Sequence, residues 1–124
     1  MSCEGPRHYD CKRNQGNDPP EPCRTGLSLD VAADRLEMAR KFGATHTINS
    51  EKQNAIEEIL GLTHGLGADL AFEAVGVTAT VDLALRCLRK GGTATLVGNV
   101  APKIDFPLQV AVTRELTLHG SCAI

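Results

Sequence analysis

Apolar and polar residues alternate in a regular order from residue 27 to the end of the sequence. Short apolar runs predict strands at residues 27–29, 46–48, 70–75, 93–97 and 116–121. Between them, apolar residues recur at helical spacing and predict helices at residues 32–42, 56–60 and 81–88. Strand and helix therefore follow one another throughout this part of the chain.

Local signals indicate where these helices begin and end. Gly43 is positioned to end the first helix, and the pair Gly91 and Gly92 to end the third. Ser50, with Gln53 three residues later, is typical of a capping box at the start of the second helix. Pro102 and Pro107 indicate an irregular connection before the last strand.

Alternating strands and helices predict a parallel sheet, because right-handed crossovers return each strand beside a neighbour in the same direction. The predicted fold class is therefore doubly wound α/β. Ligands of such sheets bind at the carboxyl ends of the strands. We therefore expect functional residues directly after each predicted strand.

Residues 1–26 have a different composition. They contain no Ala, Val, Ile, Leu, Phe or Trp, and they hold four of the six prolines. Such a segment cannot bury a core, so the sequence predicts a disordered N-terminal segment at residues 1–26 and a separate folded part at residues 27–124. A metal site is the sharper alternative for this segment, although the spacing matches no common zinc pattern; its ligands would be Cys3, His8, Cys11 and Cys23.

Charge and composition restrict the partners of the chain. A formal net charge of −2 with scattered Lys and Arg argues against nucleic acid. No apolar run is long enough for a membrane-spanning helix or a secretory signal. The five cysteines are odd in number and irregularly spaced, which favours a reducing compartment. We expect a soluble, cytoplasmic protein.

Asp30, Gly76 and Gly98 are the first candidate site residues. Asp30 follows the first predicted strand, where a carboxylate can accept hydrogen bonds from the two hydroxyls of a ribose and favours NAD over NADP. The same residue could instead cap the following helix. Gly76 and Gly98 leave room for a flat ring, but glycine is also ordinary in a strand-to-helix turn. These alternatives remain open on sequence alone.

Four ordered runs, LDVAADRLEMARKFGAT, GADLAFEAVG, ALRCLRKGGTATLVG and RELTLHGS, resemble the cofactor domain of zinc-type medium-chain alcohol and polyol dehydrogenases. The resemblance covers roughly residues 27–124 and implies a partial NAD-binding Rossmann domain. It implies that Asp30 and Arg35 bind the adenosine ribose. It further implies that the end of one strand lines the cofactor cleft, at Ala74, Val75 and Gly76. The residues whose backbone would face the nicotinamide are Val97, Gly98, Asn99, Ser121, Cys122 and Ala123. Core packing or turn geometry is the alternative explanation at each position.

Two other protein groups share part of this pattern. Doubly wound methyltransferases also carry an acid after their second strand, but the runs FEAVG and LRKGGTATLVG at this spacing are not theirs. Zinc-free quinone reductases of the same superfamily are closer competitors. Within the dehydrogenases, the resemblance implies secondary alcohols or polyols as substrates.

Two parts of a complete dehydrogenase are missing from this sequence. A glycine-rich turn that holds the pyrophosphate should lie about 20 residues before the ribose acid, and that stretch contains neither the turn nor a strand before it. No HExxH or CxxC cluster supplies the family's zinc ligands. His46, His64 and His119 each lie outside any such cluster in the sequence, and Cys87 is predicted to be a small core residue. We expect the chain to be inactive by itself.

The missing first strand would lie at the centre of a six-stranded sheet in the order 3-2-1-4-5-6. A central parallel strand needs a nearly continuous apolar run, so residues 1–26 are predicted not to fill that position. This leads to the hypothesis of a truncated, aberrantly spliced or frameshifted product whose homology begins near Gly26. A second hypothesis is a non-catalytic association module. Its edge strand at residues 116–121, which commonly joins two subunits in this family, would pair with a partner strand.

Overall fold

Strands and helices alternate from Gly26 to Gly120 in a computed structural model of the chain, which describes residues 2–4 and 25–122. Four helices connect five of the strands: α1 (Ala33–Lys41), α2 (Ala55–Leu62), α3 (Thr78–Arg86) and α4 (Leu108–Thr113). The strands are β1 (Ser2–Glu4), β2 (Gly26–Asp30), β3 (His46–Asn49), β4 (Ala68–Glu73), β5 (Leu88–Leu96) and β6 (Thr117–Gly120). The five strands and three helices predicted from the sequence are all present.

The six strands form one sheet in the order β3-β2-β1-β4-β5-β6. β2 pairs with β3, β4 with β5 and β5 with β6, each pair in parallel. This confirms the mixed α/β, Rossmann-like architecture. The carboxyl ends of β2 to β6 all lie at one edge of the sheet, which places the predicted site residues along that edge.

The prediction that residues 1–26 leave the central position empty is wrong. Ser2–Glu4 lies between β2 and β4 and runs antiparallel to both, with Cys3 opposite Leu27 on one side and Ala71 on the other. A three-residue antiparallel strand contributes backbone NH and CO groups and needs no apolar run. Met1 and residues 5–24, which hold most of the predicted disordered segment and three of the four candidate metal ligands, lie outside the described residues.

The core lies on one face of the sheet. The strand residues on this face are Leu27, Leu29, Ile48, Ala71 and Ala94, and they pack with side chains of α2 and α3, among them Ile59, Val81 and Leu85. Cys87 is 1% exposed in this core, as predicted. Within the described residues the opposite face carries α1 alone, which covers β2 and β3 through contacts such as Arg40 with Thr47.

Three local predictions need correction. The N-cap of α2 is Asn54, whose side chain accepts from the amide of Glu57 at 3.3 Å, whereas the predicted capping box at Ser50 and Gln53 does not form. Gln53 accepts instead from the Asn49 amide. Leu88 begins β5 rather than ending α3, and α4 lies in the connection that was predicted to be irregular.

Candidate functional site

Gly76 and Gly98 bring two loops into backbone contact at the carboxyl edge of the sheet. A Cβ atom on Gly98 would lie 2.2 Å from the carbonyl carbon of Val75, and one on Gly76 would lie 2.3 Å from the carbonyl carbon of Gly98. Gly76 also has a φ of +85°, which disfavours other residues. Both glycines are therefore required by close approach, beyond ordinary turn chemistry.

Hydrogen bonds join the same two loops. The amides of Val97 and Gly98 donate to the carbonyl oxygen of Glu73 at 2.8 and 3.1 Å. Further along, the amide of Val100 donates to the carbonyl of Val75 at 3.2 Å. The loops after β4 and β5 consequently form one joined structure.

Glu73 is a site residue that the sequence analysis did not single out. Its side chain is fully buried, and its carboxylate accepts from the amides of Val75 at 2.8 Å and Gly76 at 2.9 Å. The signal was available, because an acid inside an apolar run before a glycine needs a buried partner. Backbone amides provide that partner here.

A pocket of about 400 Å³ lies beside this junction, between the ends of β5 and β6. It brings together five of the predicted nicotinamide residues, Val97, Gly98, Asn99, Ser121 and Cys122. The amide of Ser121 donates to the carbonyl of Leu96 at 2.9 Å and fixes the turn after β6. Ala123 lies outside the described residues, so its predicted contact stays a prediction.

Asp30 is the last residue of β2, and backbone amides of the next two residues hold its side chain. Its Oδ1 accepts from the amides of Val31 at 2.7 Å and Ala32 at 3.1 Å, and its Oδ2 lies 3.6 Å from a guanidinium nitrogen of Arg35. Burial raises the pKa of Asp30, but the two amides and the Arg35 charge outweigh it, and the net pKa lies below its ordinary value. The carboxylate is therefore charged at neutral pH. Oδ2 keeps acceptor capacity for a ribose, while Oδ1 holds the turn between β2 and α1. The N-cap of α1 is Ala32 and no side chain caps it, so Asp30 does not have the alternative role of helix cap.

Two exposed valines follow β2 and β4, the two parallel strands on either side of β1. Val31, after β2, is 51% exposed, and Val75, after β4, is 41% exposed. Apolar side chains at a strand end offer a surface on which a flat ring can pack. Val31 was missed because it lies between the predicted strand at residues 27–29 and the predicted helix at residues 32–42.

The fit to a dinucleotide is incomplete in the middle of the molecule. β1 runs antiparallel, so its last residue, Glu4, lies at the amino edge of the sheet opposite Gly26 and Leu70. A phosphate-binding turn must follow a strand at the carboxyl edge. The described residues offer a carboxylate oxygen on Asp30 and a pocket between β5 and β6, but no turn that could hold a pyrophosphate.

Zinc does not fit the described residues. Across residues 25–122, no three side chains of His, Cys, Asp and Glu come together to hold a metal ion. The helices in this part of the chain also lack the combination of length and apolar character that a membrane span requires.

Comparison with known proteins places these features in a family. A family model described as zinc-binding dehydrogenase matches residues 27–124. Sorbitol dehydrogenase from Bacillus subtilis is 39% identical over 98 residues, which cover 77% of this chain and 28% of that protein. A probable D-xylulose reductase A from Emericella nidulans is 36% identical over 99 residues, with the same coverage of each protein.

A solved structure supports the same placement. The alcohol dehydrogenase TADH from Thermus sp. ATN1 has a TM-score of 0.71 and 39% sequence identity, covering 78% of this chain and 28% of that one. This chain thus spans little more than a quarter of the length of the relatives it matches. On the match of the family model and the order of the sheet that it covers, the chain belongs to the zinc-binding dehydrogenase family.

Proposed function

We propose that this chain provides the NAD-binding part of a dehydrogenase that oxidises a secondary alcohol or a polyol. The observation that carries the proposal is the joined pair of loops at Gly76 and Gly98, beside a pocket of about 400 Å³. Polyol and alcohol dehydrogenases among the relatives support the substrate class. A cytoplasmic location is part of the same proposal.

Asp30 and Arg35 would hold the adenosine end of the cofactor. The Oδ2 atom of Asp30 accepts hydrogen bonds from ribose hydroxyls, while the Arg35 guanidinium, 3.6 Å away, keeps the carboxylate charged and oriented. A negative charge at this position repels a 2′-phosphate, which favours NAD over NADP. Val31 and Val75 offer an apolar surface to the base.

The pocket between β5 and β6 would hold the nicotinamide end. Val97, Gly98 and Ser121 line the pocket, and the absence of a side chain at Gly98 lets the loops after β4 and β5 approach each other beside it. The nicotinamide ring, when bound, accepts the hydride removed from the alcohol carbon. The residues of this chain orient the ring and shield one of its faces from water.

Turnover requires groups that residues 25–122 do not contain, namely a metal site and a phosphate cradle. Substrate contacts and the zinc ligands belong, in this proposal, to other parts of the complete enzyme. We therefore expect the chain alone to bind NADH weakly, with a Kd on the order of 1 mM, or about −4 kcal/mol. Without additional protein it should show no alcohol oxidation.

Titration of the purified chain with NADH, followed by calorimetry and with circular dichroism on the same sample, tests this proposal. The expected result is saturable NADH binding that is at least about tenfold tighter than NADPH binding, because the Asp30 carboxylate repels a 2′-phosphate. A tenfold difference in Kd corresponds to about 1.4 kcal/mol. Asp30→Asn should reduce that preference, and Asp34→Asn, one turn away on the exposed side of α1, serves as the control. A folded chain that binds neither nucleotide would refute the proposal.

Association through β6 is a second property that we propose for the same chain. All four residues of β6, Thr117–Gly120, are exposed, and the strand lies at the edge of the sheet. The amide of Ser121 donates inward to Leu96, so by alternation the amide of Leu118 points away from β5. Pairing of two such edges would form a homodimer, which we propose as an addition to the dehydrogenase function and not as an alternative to it.

Leu118→Pro tests the pairing directly. Proline removes only the outward NH group, and an edge strand tolerates it. Size-exclusion chromatography with light scattering should show a dimer for the wild-type chain and a monomer for the variant. A monomeric wild-type chain would contradict the proposed homodimer.

A further inference from the structure

Glu73 is the residue through which the two loops of the proposed cofactor site are held together. We propose that Glu73 is a positioning residue, which sets the distance between the loops after β4 and β5 and thereby shapes the pocket. The inference rests on the proposed NAD-binding function. Glu73 itself is buried and is not among the residues that line the pocket.

Glu73 uses both its side chain and its backbone for this purpose. Its carboxylate accepts from Val75 and Gly76, with one bond from Val75 at 2.8 Å and contacts from Gly76 to both oxygens at 2.9 and 3.1 Å. Its carbonyl oxygen accepts from Val97 and Gly98 of the other loop. One residue consequently supports both loops.

The glycine contact transmits the position of one loop to the other. The backbone at residues 75–76 lies so close to the backbone at residues 98–99 that a single Cβ atom would not fit between them. A shift of the loop after β4 must therefore move Gly98 and Asn99, which line the pocket. The carboxylate of Glu73 determines where the first of these loops lies.

A carboxylate suits this position better than an amide. Gly76 is buried, and its amide would lose a partner in an apolar interior if the acceptor were removed. An ionised acceptor makes shorter and stronger bonds to backbone NH groups than a neutral one. Gln at this position retains one oxygen but presents an NH₂ group toward the Gly76 amide, where two donors oppose each other.

Glu73→Gln, measured in the full chain, tests the proposal. We expect the Kd for NADH to rise about tenfold, because part of a charge-assisted interaction is lost. Amide hydrogen exchange, resolved by ¹⁵N NMR, should become faster at Val75, Gly76, Val97 and Gly98, with β2 and β3 unchanged. Glu57→Gln makes the same chemical change on the exposed side of α2 and is the matched control.

The possible results separate the two proposals. If the wild-type chain binds NADH and Glu73→Gln binds it equally well, this inference is wrong but the proposed function stands, because Glu73 would then only stabilise the fold. This holds whether or not amide exchange is faster. Unchanged exchange at the four amides would overturn the inference as well. A folded wild-type chain that does not bind NADH would refute the proposed function first. If Glu73→Gln fails to fold, Glu73→Asp replaces it, because Asp retains the carboxylate one methylene shorter. Its Kd for NADH should rise and exchange at the four amides should become faster, and unchanged values would overturn the inference.

Discussion

Gly98→Ala should destabilise the chain although it adds only one methyl group. The new Cβ would lie 2.2 Å from the carbonyl carbon of Val75 and 2.3 Å from the amide nitrogen of Gly76. Both neighbours are backbone atoms, so the clash cannot be relieved by rotating a side chain. Overpacking of this kind costs about 1–3 kcal/mol.

The corresponding change at Gly76 should cost more. A Cβ there would lie 2.3 Å from the carbonyl carbon of Gly98, and the φ of +85° adds a separate backbone cost. That second term is about 1–2 kcal/mol for a residue other than glycine. Gly76→Ala should therefore lower the free energy of unfolding by about 2–5 kcal/mol in total.

Gly61→Ala provides the matched control. Gly61 lies in α2, and a Cβ there would have no heavy atom within 4 Å. Alanine should stabilise this helix by up to about 1 kcal/mol relative to glycine. The same chemical change thus has opposite signs in the helix and at the loop junction.

Urea unfolding followed by circular dichroism measures all three variants. The expected order of stability is Gly61→Ala, wild type, Gly98→Ala and Gly76→Ala. NADH binding should weaken in the two loop variants and remain unchanged in Gly61→Ala. If Gly98→Ala is as stable as the wild-type chain, the two loops are not in contact and the account of the site is wrong.

Four further changes test other parts of the structure. Asn54→Ala should lower the free energy of unfolding in urea by about 0.5–2 kcal/mol, because a helix cap is removed. Ser50→Ala should change it by less than about 0.5 kcal/mol. Equal effects of the two changes would mean that Ser50 caps the helix as well. Thr63→Val should cost about 1–3 kcal/mol in the same assay, because the buried hydroxyl accepts an amide hydrogen bond at 2.9 Å, and an unchanged midpoint would contradict this. The pKa of Asp30 is lower in the folded chain than its ordinary value of 3.8, so its contribution to stability is present above that value and is lost as the pH falls through the folded-state pKa; Asp30→Asn should flatten this acid dependence. Cys3→Pro removes a backbone NH group from β1 and should increase light scattering from aggregated chain, whereas unchanged scattering would mean that β1 contributes little.

The alternation of strands and helices was predictable because its signals are local. Glycines at positions 43, 76 and 98 mark real changes of direction, and two of them have the positive φ that favours glycine. Periodicity located β2 to β4 and α1 to α3 to within a few residues. What it could not fix was the residue at which α3 gives way to β5, since Leu88 continues the helical spacing of apolar residues yet pairs with Ala68.

Helix α4 and the link from Glu73 to the loop after β5 depend on contacts that no local pattern contains. Leu108 and Val112 of α4 are 66% and 65% exposed, so this helix has no buried stripe from which periodicity could identify it. Glu73 lies inside the predicted strand at residues 70–75. Its hydrogen bonds to the loop that carries Gly98 exist only because the fold brings β4 and β5 together.

The central strand β1 was not predicted, because the rule that a central parallel strand needs an apolar run considers only the burial of side chains. Residues 2–4 lack the apolar run of a buried parallel strand, and that rule concerns side-chain burial. Pairing requires only backbone NH and CO groups, which Ser2–Glu4 offers to β2 and β4 alike. Because β1 is antiparallel to β2 and β4, the chain leaves β1 at the amino edge of the sheet, not at the carboxyl edge. The position is filled, but β1 ends at the amino edge, so within the described residues the contacts available to NAD lie at the carboxyl ends of β2, β4, β5 and β6.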